Sequence, residues 1–426
     1  MPKILLENVT KRWGDFTAVD NITLEIPDRS FITLLGPSGC GKTTILRMIA
    51  GLEDPTSGRI TIDDEVVFDS EKGINVSPSK RDIGFLFQNY ALWPHMTVYK
   101  NISFGLENLR WPKEEIDKRV DELLKLLKIE QFAKRYPSEL SGGQQQRVAI
   151  ARTLAPHPKT LFMDEPLSNL DAKLRLEMRT ELKRLFNTTD STFVYVTHDQ
   201  LEAMTLSTKV CLLKTGVIEQ YDDPLTVYSH PANTFVADFV GNPTMNFIDA
   251  KAKKGTNNKE IEIEFAKTIF KFEAKQDINY VPKDVIVGIR PEFVNLNSGI
   301  EGEIYSSLPS GMSTTLIIDY RNILITSVVF GQIDFEIGLP AKLNFQQDSI
   351  VLFDQENGVK FAEGTLLLDK VLPISEEELE EIKKHYELRH QEIVDDDEDN
   401  EETQIEKLSV IDKVKNIFKR KSKSEE

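Results

Sequence analysis

A glycine-rich segment between two apolar stretches constrains the fold of this chain more than any other feature. Residues 36–44 have the sequence Gly-Pro-Ser-Gly-Cys-Gly-Lys-Thr-Thr, which fits the phosphate-binding pattern G-x-x-x-x-G-K-[ST]. Phe31–Leu35 before it is predicted to form a buried strand. Thr43–Gly51 after it is predicted to form a helix that ends at a glycine. The strand, loop and helix together predict an α/β phosphate-loop nucleotide-binding fold.

The residue types of this loop suit a nucleotide and its metal ion. Glycines let backbone N–H groups approach phosphate oxygens, and the helix N-terminus adds partial positive charge. Lys42 is predicted to bind the β- and γ-phosphates of ATP, and the hydroxyl of Thr43 to bind Mg²⁺. The alternative is an ordinary glycine-rich turn. The candidate ATP-binding residues of the loop are Gly36, Ser38, Gly39, Cys40, Gly41, Lys42, Thr43 and Thr44.

Length and composition exclude several classes of protein. The chain has 426 residues, enough for two or three domains, and a net charge of −17, which gives no reason to expect nucleic-acid binding. Its two cysteines cannot form a disulfide framework, which suits a reducing cytosol. We find no signal peptide and no apolar window of about 18 residues, the length of a membrane span. Any role at a membrane is therefore expected to depend on partner proteins.

A second predicted helix start has the residues of an anion site. Leu-Ser-Gly-Gly-Gln at 140–144 precedes an apolar-rich stretch, and Ser141 is a suitable N-cap for a helix there. A serine and two glycines at a helix N-terminus can bind an anion. The alternative is a capped helix with a flexible entry.

Polar residues follow two further predicted strands. The strand that begins at Lys159 ends at Asp164 and Glu165, and the strand Phe193–Thr197 is followed by His198. In a phosphate-loop protein, such an aspartate helps to hold Mg²⁺, and the adjacent glutamate can act as general base for a water molecule. A histidine can donate to a phosphate oxygen. Taken singly, strand-end residues of this kind are often structural.

Two further residues have both a functional and a structural interpretation. Gln88 closes the predicted strand Asp82–Phe87, and a polar residue in that place is usually structural. Trp13 lies in a polar turn between two predicted strands, at residues 3–12 and 20–26. Its ring could stack on adenine or pack under the hairpin.

Taken together, these motifs resemble those of the nucleotide-binding domain of ABC transporters. The resemblance covers residues 1–235, and each motif occurs once, in the order typical of that family. The matching motifs are the A-loop position at Trp13, Walker A at 36–44, the Q-loop at Gln88, the signature at 140–144, Walker B at 161–165, the D-loop at 168–171 and the H-loop at His198.

The resemblance implies a mechanism and a set of site residues. Two domains would face each other head to tail, so that ATP bound by Lys42 of one is covered by Ser141 and Gly143 of the other. Closure would complete the site. The implied roles are catalysis for Glu165, His198 and Gln88, metal binding for Thr43, Gln88 and Asp164, nucleotide contact in trans for Ser141, Gly142, Gly143 and Gln144, and a D-loop role for Asp171.

The back third of the chain is predicted to be a separate all-β domain. Residues 259–265 alternate strictly between polar and apolar side chains, and further short β-branched runs follow. The segments 239–247 and 288–292 resemble the junction and the OB-like regulatory domain of ATPases from the carbohydrate-importer branch. The predicted domains are therefore 1–238 for nucleotide binding, with a helical subdomain at about 89–155, and 239–370 for the OB-like domain.

The residues after 370 carry no resemblance to that family. We interpret 371–426 as a charged, largely disordered tail with an acidic run at 395–402. Residues 407–423 combine apolar and basic side chains, as in an amphipathic helix for an anionic membrane surface or a partner. A solvated, weakly helical tail is the alternative.

The resemblance implies the ATPase of an importer for sugars or glycerol-3-phosphate. The expected partners are a second identical chain, two integral membrane permease subunits and an extracytoplasmic solute-binding protein, with the chain bound at the cytoplasmic face of the membrane. Polyamine importers share much of this layout, including the segment Tyr90–Met96, and are the alternative. A soluble ABC ATPase and a phosphate-loop kinase are rivals from other classes, although the LSGGQ segment argues against the kinase.

Overall fold

The computed structural model describes residues 3–331, 333–345, 350–375 and 380. The chain divides into two compact units between Ala232 and Asn233. The interpretation of the charged tail concerns residues that, apart from 371–375 and 380, lie outside the described part of the chain.

The first unit is an α/β structure. Its strands are β1 Ile4–Trp13, β2 Phe16–Ile26, β3 Phe31–Leu35, β4 Ser57–Ile62, β5 Glu65–Asp69, β6 Ile74–Asn75, β7 Ile83–Leu86, β8 Thr160–Asp164, β9 Thr192–Thr197, β10 Lys209–Lys214 and β11 Val217–Asp222. Its helices are α1 Lys42–Ala50, α2 Val98–Asn108, α3 Lys113–Leu126, α4 Gly142–Leu154, α5 Ala172–Thr188, α6 Gln200–Leu206 and α7 Pro224–Ser229.

The larger sheet of this unit has the strand order β11-β10-β3-β9-β8-β7 among the described residues. All neighbouring pairs from β10 to β7 are parallel, and β11 is antiparallel to β10. Every residue of β3, β8 and β9 is buried, which explains why these strands are continuous apolar-rich runs without alternation. Parallel pairing brings their carboxyl ends to one edge, where α/β proteins bind ligands.

A second, antiparallel sheet has the order β2-β1-β4-β5-β6. The hairpin of β1 and β2 turns between Trp13 and Phe16, which are paired in the ladder. This sheet shares a hydrophobic core with helix α1 and the inner strands of the larger sheet. The hairpin with Trp13 is therefore part of the same unit as the phosphate loop.

Helices α2, α3 and α4 lie in the segment predicted as the helical subdomain. In α3 the buried residues are Ile116, Val120, Leu123 and Leu124, which is the apolar face that the sequence predicts. Glu114 and Glu115 in its first turn suit the positive end of the helix dipole. The three helices contribute to one hydrophobic cluster that also contains Leu86 and Leu161 from the sheet. The helical segment is thus packed directly against the strands β7 and β8.

The second unit is largely β-structure, as predicted. It begins with helix α8 Thr234–Phe239, and its strands are β12 Asn246–Lys254, β13 Glu260–Phe265, β14 Thr268–Ala274, β15 Asp284–Ile289, β16 Val294–Pro309, β17 Ser313–Tyr320, β18 Ile323–Phe330, β19 Pro340–Phe345, β20 Ile350–Asp354 and β21 Lys360–Val371.

These strands form two sheets rather than one. A closed barrel contains β12, β13, β14, β21, β20 and β15, and a second sheet has the order β18-β17-β16-β19. In β13 the apolar residues Ile261, Ile263 and Phe265 are buried, which confirms the predicted alternation. The β16 strand is long, with 16 residues, and pairs with both β17 and β19. An irregularity in its pairing between Asn295 and Ile300 interrupts the register along its length.

One buried cation connects helix α8 to the barrel within this unit. The guanidinium of Arg290 is 1 % exposed, and its Nη1 donates to the carbonyl of Ala237, at 2.9 Å, and to that of Val240. Both carbonyls lie at the end of α8, where a helix has no intrahelical partners for them. The arginine therefore stabilises a helix end that would otherwise bury unpaired acceptors.

We expect Arg290→Ala to lower the unfolding midpoint of the chain in urea, because each acceptor left unpaired and buried costs about 1–3 kcal/mol. Arg321→Ala is the matched control, since Arg321 also donates to a carbonyl, that of Ala266 at 2.9 Å, but is less buried. Circular dichroism would measure both midpoints. Equal midpoints for the two variants would show that the buried Arg290 contributes no more to stability than the less buried Arg321 does.

Candidate functional site

The predicted strand-end residues meet at the carboxyl edge of the parallel sheet. Leu35 of β3 pairs with Thr197 of β9, and Asp164 of β8 pairs with Val196 one residue earlier. The phosphate loop follows β3, Glu165 follows β8 and His198 follows β9. The register of the sheet therefore places these segments side by side.

The glycines of the phosphate loop are required by the backbone and by close packing. Gly36, Gly39 and Gly41 have φ angles of 151°, 79° and 98°, a region that L-residues with a side chain rarely adopt. A Cβ at Gly41 would also overlap the carbonyl of Ala18 in β2. The loop is therefore held against the strand that leads out of the Trp13 hairpin.

Lys42 lies at the first position of α1 and is 5 % exposed. Its Nζ donates to the carbonyls of Gly36 and Pro37, each at 2.8 Å. These contacts hold the ammonium inside the curve of the loop. A cation in this place can bind phosphate oxygens that lie over the helix N-terminus.

Cys40 is buried inside the loop and lies 3.8 Å from the Lys42 ammonium through its Sγ. Burial raises the pKa of the Cys40 thiol, although the charge of Lys42 acts in the opposite direction. The side chain is therefore a neutral thiol at physiological pH.

Thr43 and Asp164 form the candidate metal site. The Thr43 hydroxyl donates to Asp164 Oδ1 at 2.8 Å, and the other carboxylate oxygen lies 3.4 Å from Nη2 of Arg47. A hydroxyl and a buried carboxylate are the oxygen ligands that Mg²⁺ uses when phosphates complete its shell. Among the described residues we find no cluster of three or more His, Cys, Asp or Glu side chains that could hold a metal by itself. The donor set therefore fits Mg²⁺ bound together with a nucleotide.

Glu165 lies in contact with side chains from two other segments. Gln88 Nε2 is 3.4 Å from Glu165 Oε2 and 3.4 Å from the hydroxyl of Ser168, and His198 Nδ1 is 3.4 Å from Glu165 Oε1. The Asn169 side chain donates to the carbonyl of Gln88 at 3.2 Å. The structure thus brings Gln88, Glu165 and His198 together, although they are far apart in the sequence.

The backbone of Glu165 is in the left-handed region, with a φ of 43°. Its N–H donates to the carbonyl of Val196 in β9 at 3.0 Å. A non-glycine residue in this region costs free energy and is often found at functional sites. The turn directs the chain out of the sheet immediately after Asp164.

The signature segment forms the N-terminus of α4, as predicted. The Gln144 side chain accepts the backbone N–H of Ser141 at 3.0 Å, which orders the first turn. Gly143 is buried, and a Cβ there would meet the side chain of Leu174 at 2.5 Å. Ser141 and Gly142 are exposed. The start of the helix is therefore packed on one side against α5 and open on the other.

Asp171 is the N-cap of α5, because its carboxylate accepts the N–H of Leu174 at 3.0 Å. This contact gives Asp171 a structural role as a helix cap. Its D-loop role stays a prediction.

Trp13 is 46 % exposed, so it does not pack under the hairpin. Its ring is parallel to that of Phe16, at 6.3 Å between centroids, and Lys11 Nζ lies 5.3 Å from the centroid.

The site also contains Arg47, which the sequence analysis did not single out, and Ser168, which it named only as part of the D-loop. Arg47 contacts Asp164, and Ser168 contacts both Gln88 and the carbonyl of Glu165. Arg47 follows Thr43 by four residues on α1, a spacing that places two side chains on one helix face. This spacing is the feature of the sequence from which Arg47 could have been predicted as a site residue.

The fold and this arrangement of residues define a phosphate-loop ATPase. Among the described residues, no helix is both long and apolar enough to span a membrane.

Comparison with known proteins agrees with this class. The profile of the family described as ABC transporter matches residues 19–168, and that of the MalK OB fold domain matches residues 241–294. The trehalose/maltose import ATP-binding protein MalK of Thermococcus litoralis is 51 % identical over 292 residues, which cover 68 % of this chain and 78 % of that protein. The chain therefore belongs to the family of ABC transporter ATP-binding proteins.

Two further relatives are sn-glycerol-3-phosphate import ATP-binding proteins. UgpC of Brucella abortus is 52 % identical over 251 residues, which cover 59 % of this chain and 70 % of that protein. UgpC 3 of Agrobacterium fabrum is 41 % identical over 378 residues, which cover 83 % of this chain and 98 % of that protein. The similarity therefore extends well beyond the phosphate-loop unit.

We expect Trp13→Ala to weaken ATP binding by about 1–3 kcal/mol, the contribution of one aromatic side chain stacked on a base. Trp13→Tyr is the matched control, since it keeps a ring at the position. Equilibrium dialysis with ATP and no divalent cation would measure both affinities without hydrolysis. Equal affinity of Trp13→Ala and the unaltered chain would exclude adenine stacking at this residue.

Proposed function

We propose that this chain is the ATP-hydrolysing subunit that powers import of a sugar or of glycerol-3-phosphate through a membrane transporter. The observation that carries the catalytic part of this proposal is Glu165, held between Gln88 and His198 at the end of β8 and next to the phosphate loop. The solute class is suggested by the printed names of the relatives, which refer to trehalose and maltose or to sn-glycerol-3-phosphate.

In this proposal the residues of one chain have distinct roles toward ATP. Lys42 binds the β- and γ-phosphates, and Trp13 stacks on the adenine ring. Thr43, Asp164 and Gln88 would hold Mg²⁺, which supplies positive charge to the phosphate oxygens when it is bound. Phosphoryl transfer depends mainly on such positioning and charge neutralisation.

The remaining residues act on the attacking water and the γ-phosphate. Glu165 accepts a proton from the water as general base. His198, whose imidazole lies beside that carboxylate, donates to a γ-phosphate oxygen. Gln88 orients the water or the metal from the other side of Glu165. This division of roles accounts for three side chains that converge from separate strands.

We further propose that the working unit is a head-to-tail homodimer. The exposed Ser141 and Gly142, with Gly143 behind them, would cover ATP bound to the partner's phosphate loop. This arrangement would explain why one chain has two helix starts suited to anions: each would serve a different nucleotide. The membrane permease pair would contact the segment from Gln88 to Leu106, and a solute-binding protein outside the membrane would deliver the cargo. The chain would then lie at the cytoplasmic face of the membrane.

Glu165→Gln tests the catalytic part. We expect kcat for ATP hydrolysis to fall by about 10²–10⁴-fold, the usual effect of losing a general base, with ATP affinity retained. Glu177→Gln is the matched control, because Glu177 is an exposed residue of α5. Hydrolysis assays and equilibrium binding would separate the two quantities. Near-normal kcat in Glu165→Gln would exclude this role for Glu165.

The solute class is tested with the chain, its permease subunits and its binding protein reconstituted in vesicles. We expect maltose, trehalose or glycerol-3-phosphate, added one at a time, to increase the rate of ATP hydrolysis. Vesicles that contain Glu165→Gln are the control for hydrolysis by contaminants. The measured quantity is phosphate release at saturating ATP.

The other results of this assay would each contradict a part of the proposal. Stimulation by spermidine alone would assign the chain to the polyamine branch, with which it shares the segment Tyr90–Met96. A rate of ATP hydrolysis that no solute changes, together with failure to purify membrane subunits with this chain, would favour a soluble ATPase.

A further inference from the structure

One guanidinium connects the segment after β8 to the turn after β9. Arg175 lies in the first turn of α5, where its N–H donates to the carbonyl of Asp171 at 2.8 Å. Its Nη2 donates to the carbonyl of Leu170 at 3.2 Å, and its Nη1 to Asp199 Oδ2 at 3.3 Å. The same side chain therefore contacts the residues before α5 and the residue directly after His198.

The Asp199 carboxylate is held from both sides. Its other oxygen, Oδ1, accepts the N–H groups of Leu201 and Glu202 at 2.8 and 3.1 Å, so Asp199 caps α6. Its own N–H donates to the hydroxyl of Thr197 at 2.9 Å. Because Oδ1 is occupied by the helix and Oδ2 by Arg175, the orientation of this turn depends on both contacts.

A second carboxylate lies deeper under the same guanidinium. Glu202 is 3 % exposed and accepts the hydroxyls of Tyr195 and Thr197 at 2.8 and 2.7 Å. Arg175 Nε lies 3.9 Å from Glu202 Oε1. Burial raises the pKa of Glu202, and the charge of Asp199 raises it further. The hydroxyls of Thr197 and Tyr195 and the charge of Arg175 act in the opposite direction. Arg175 therefore places one positive charge near both carboxylates, those of Asp199 and Glu202.

His198 is more exposed than the residues that support it. Its imidazole reaches Glu165 at 3.4 Å from the turn that Asp199 and Thr197 order. A displacement of that turn would move the imidazole without altering the phosphate loop, which belongs to β3 and α1. Small displacements of this kind can cost about 10²-fold in rate.

We propose that Arg175 is a positioning residue for ATP hydrolysis, which holds the turn after β9 so that His198 stays beside Glu165. The inference rests on the proposed role of His198. Arg175 itself touches neither nucleotide nor water in this scheme. It acts through Asp199, and it makes the position of His198 depend on the segment Leu170–Asp171 at the start of α5.

Five chains test this inference in the reconstituted vesicles: unaltered, Arg175→Ala, Arg175→Lys, His198→Ala and the double variant Arg175→Ala/His198→Ala. We expect Arg175→Ala to lower kcat by about 10- to 100-fold and to change KM for ATP by less than about twofold, because ATP binding uses other residues. The double variant should be no slower than His198→Ala, because residues that act as a unit are not additive. Arg175→Lys should recover part of kcat, since it keeps a cation near Asp199.

Arg184→Ala is the matched control. Arg184 is also on α5 and binds a carboxylate, that of Glu181, and a carbonyl, that of Leu126, but neither contact involves the turn with His198. We expect its kcat to equal that of the unaltered chain. If thermal unfolding shows that Arg175→Ala does not fold, Asp199→Asn replaces it, since asparagine keeps the cap of α6 and removes the ion pair.

Each contrary result has a separate meaning. Unchanged kcat in Arg175→Ala with a large loss in His198→Ala would overturn the inference and leave the proposed function intact. If the losses in kcat of the two single variants multiply in the double variant, the inference is overturned, because Arg175 then has a general structural role. A rise in KM for ATP as large as the loss in kcat would show the same role and would also overturn the inference. Unchanged kcat in His198→Ala would overturn both the role of His198 and the inference that depends on it.

Discussion

Parallel pairing of the strands from β10 to β7 is the constraint on which the rest of the site depends. The backbone hydrogen bonds set Leu35 opposite Thr197 and Asp164 opposite Val196. Strands buried on both faces cannot shift in register without exposing apolar side chains or burying polar ones. The phosphate loop, the carboxylate pair and the histidine therefore share one edge, because the packing of the core allows no other alignment.

Backbone conformation at that edge then determines which groups face each other. Gly36 and Gly41 allow the phosphate loop to curve against the neighbouring strands, where a side chain would collide with a carbonyl. Glu165 adopts a left-handed conformation, and its N–H remains bonded to β9. The local strain is supported by hydrogen bonds to segments distant in sequence, so the arrangement depends on the whole sheet.

The two units bury their apolar residues in different ways. In the first, helices cover a parallel sheet and the polar residues concentrate at strand ends. In the second, a closed barrel leaves no unpaired edge within its six strands, and alternation puts one side of strands such as β13 inside. Arg290 is a buried cation in this unit, and the carbonyls at the end of α8 accept its hydrogen bonds in place of water. Alternation predicted an all-β domain, and the family resemblance implied that it is an OB-like barrel. Neither predicted the second sheet, because β16 pairs on both sides over a length of 16 residues that no local sequence pattern indicates.

The sequence by itself determined the phosphate loop, the signature helix, the apolar face of α3 and the order of the motifs, because each depends on residues close together in the chain. Only the tertiary structure decided that Trp13 is exposed, that Arg47 reaches Asp164, and that Arg175 joins the start of α5 to Asp199. These contacts join side chains from separate elements. Their geometry depends on how helices pack on the sheet. The spacing of Thr43 and Arg47 indicates a shared helix face, but it does not contain the contact of Arg47 with Asp164. The sequence identifies the side chains that have the functional groups needed for the reaction, and the packing of the core sets the distances between those side chains.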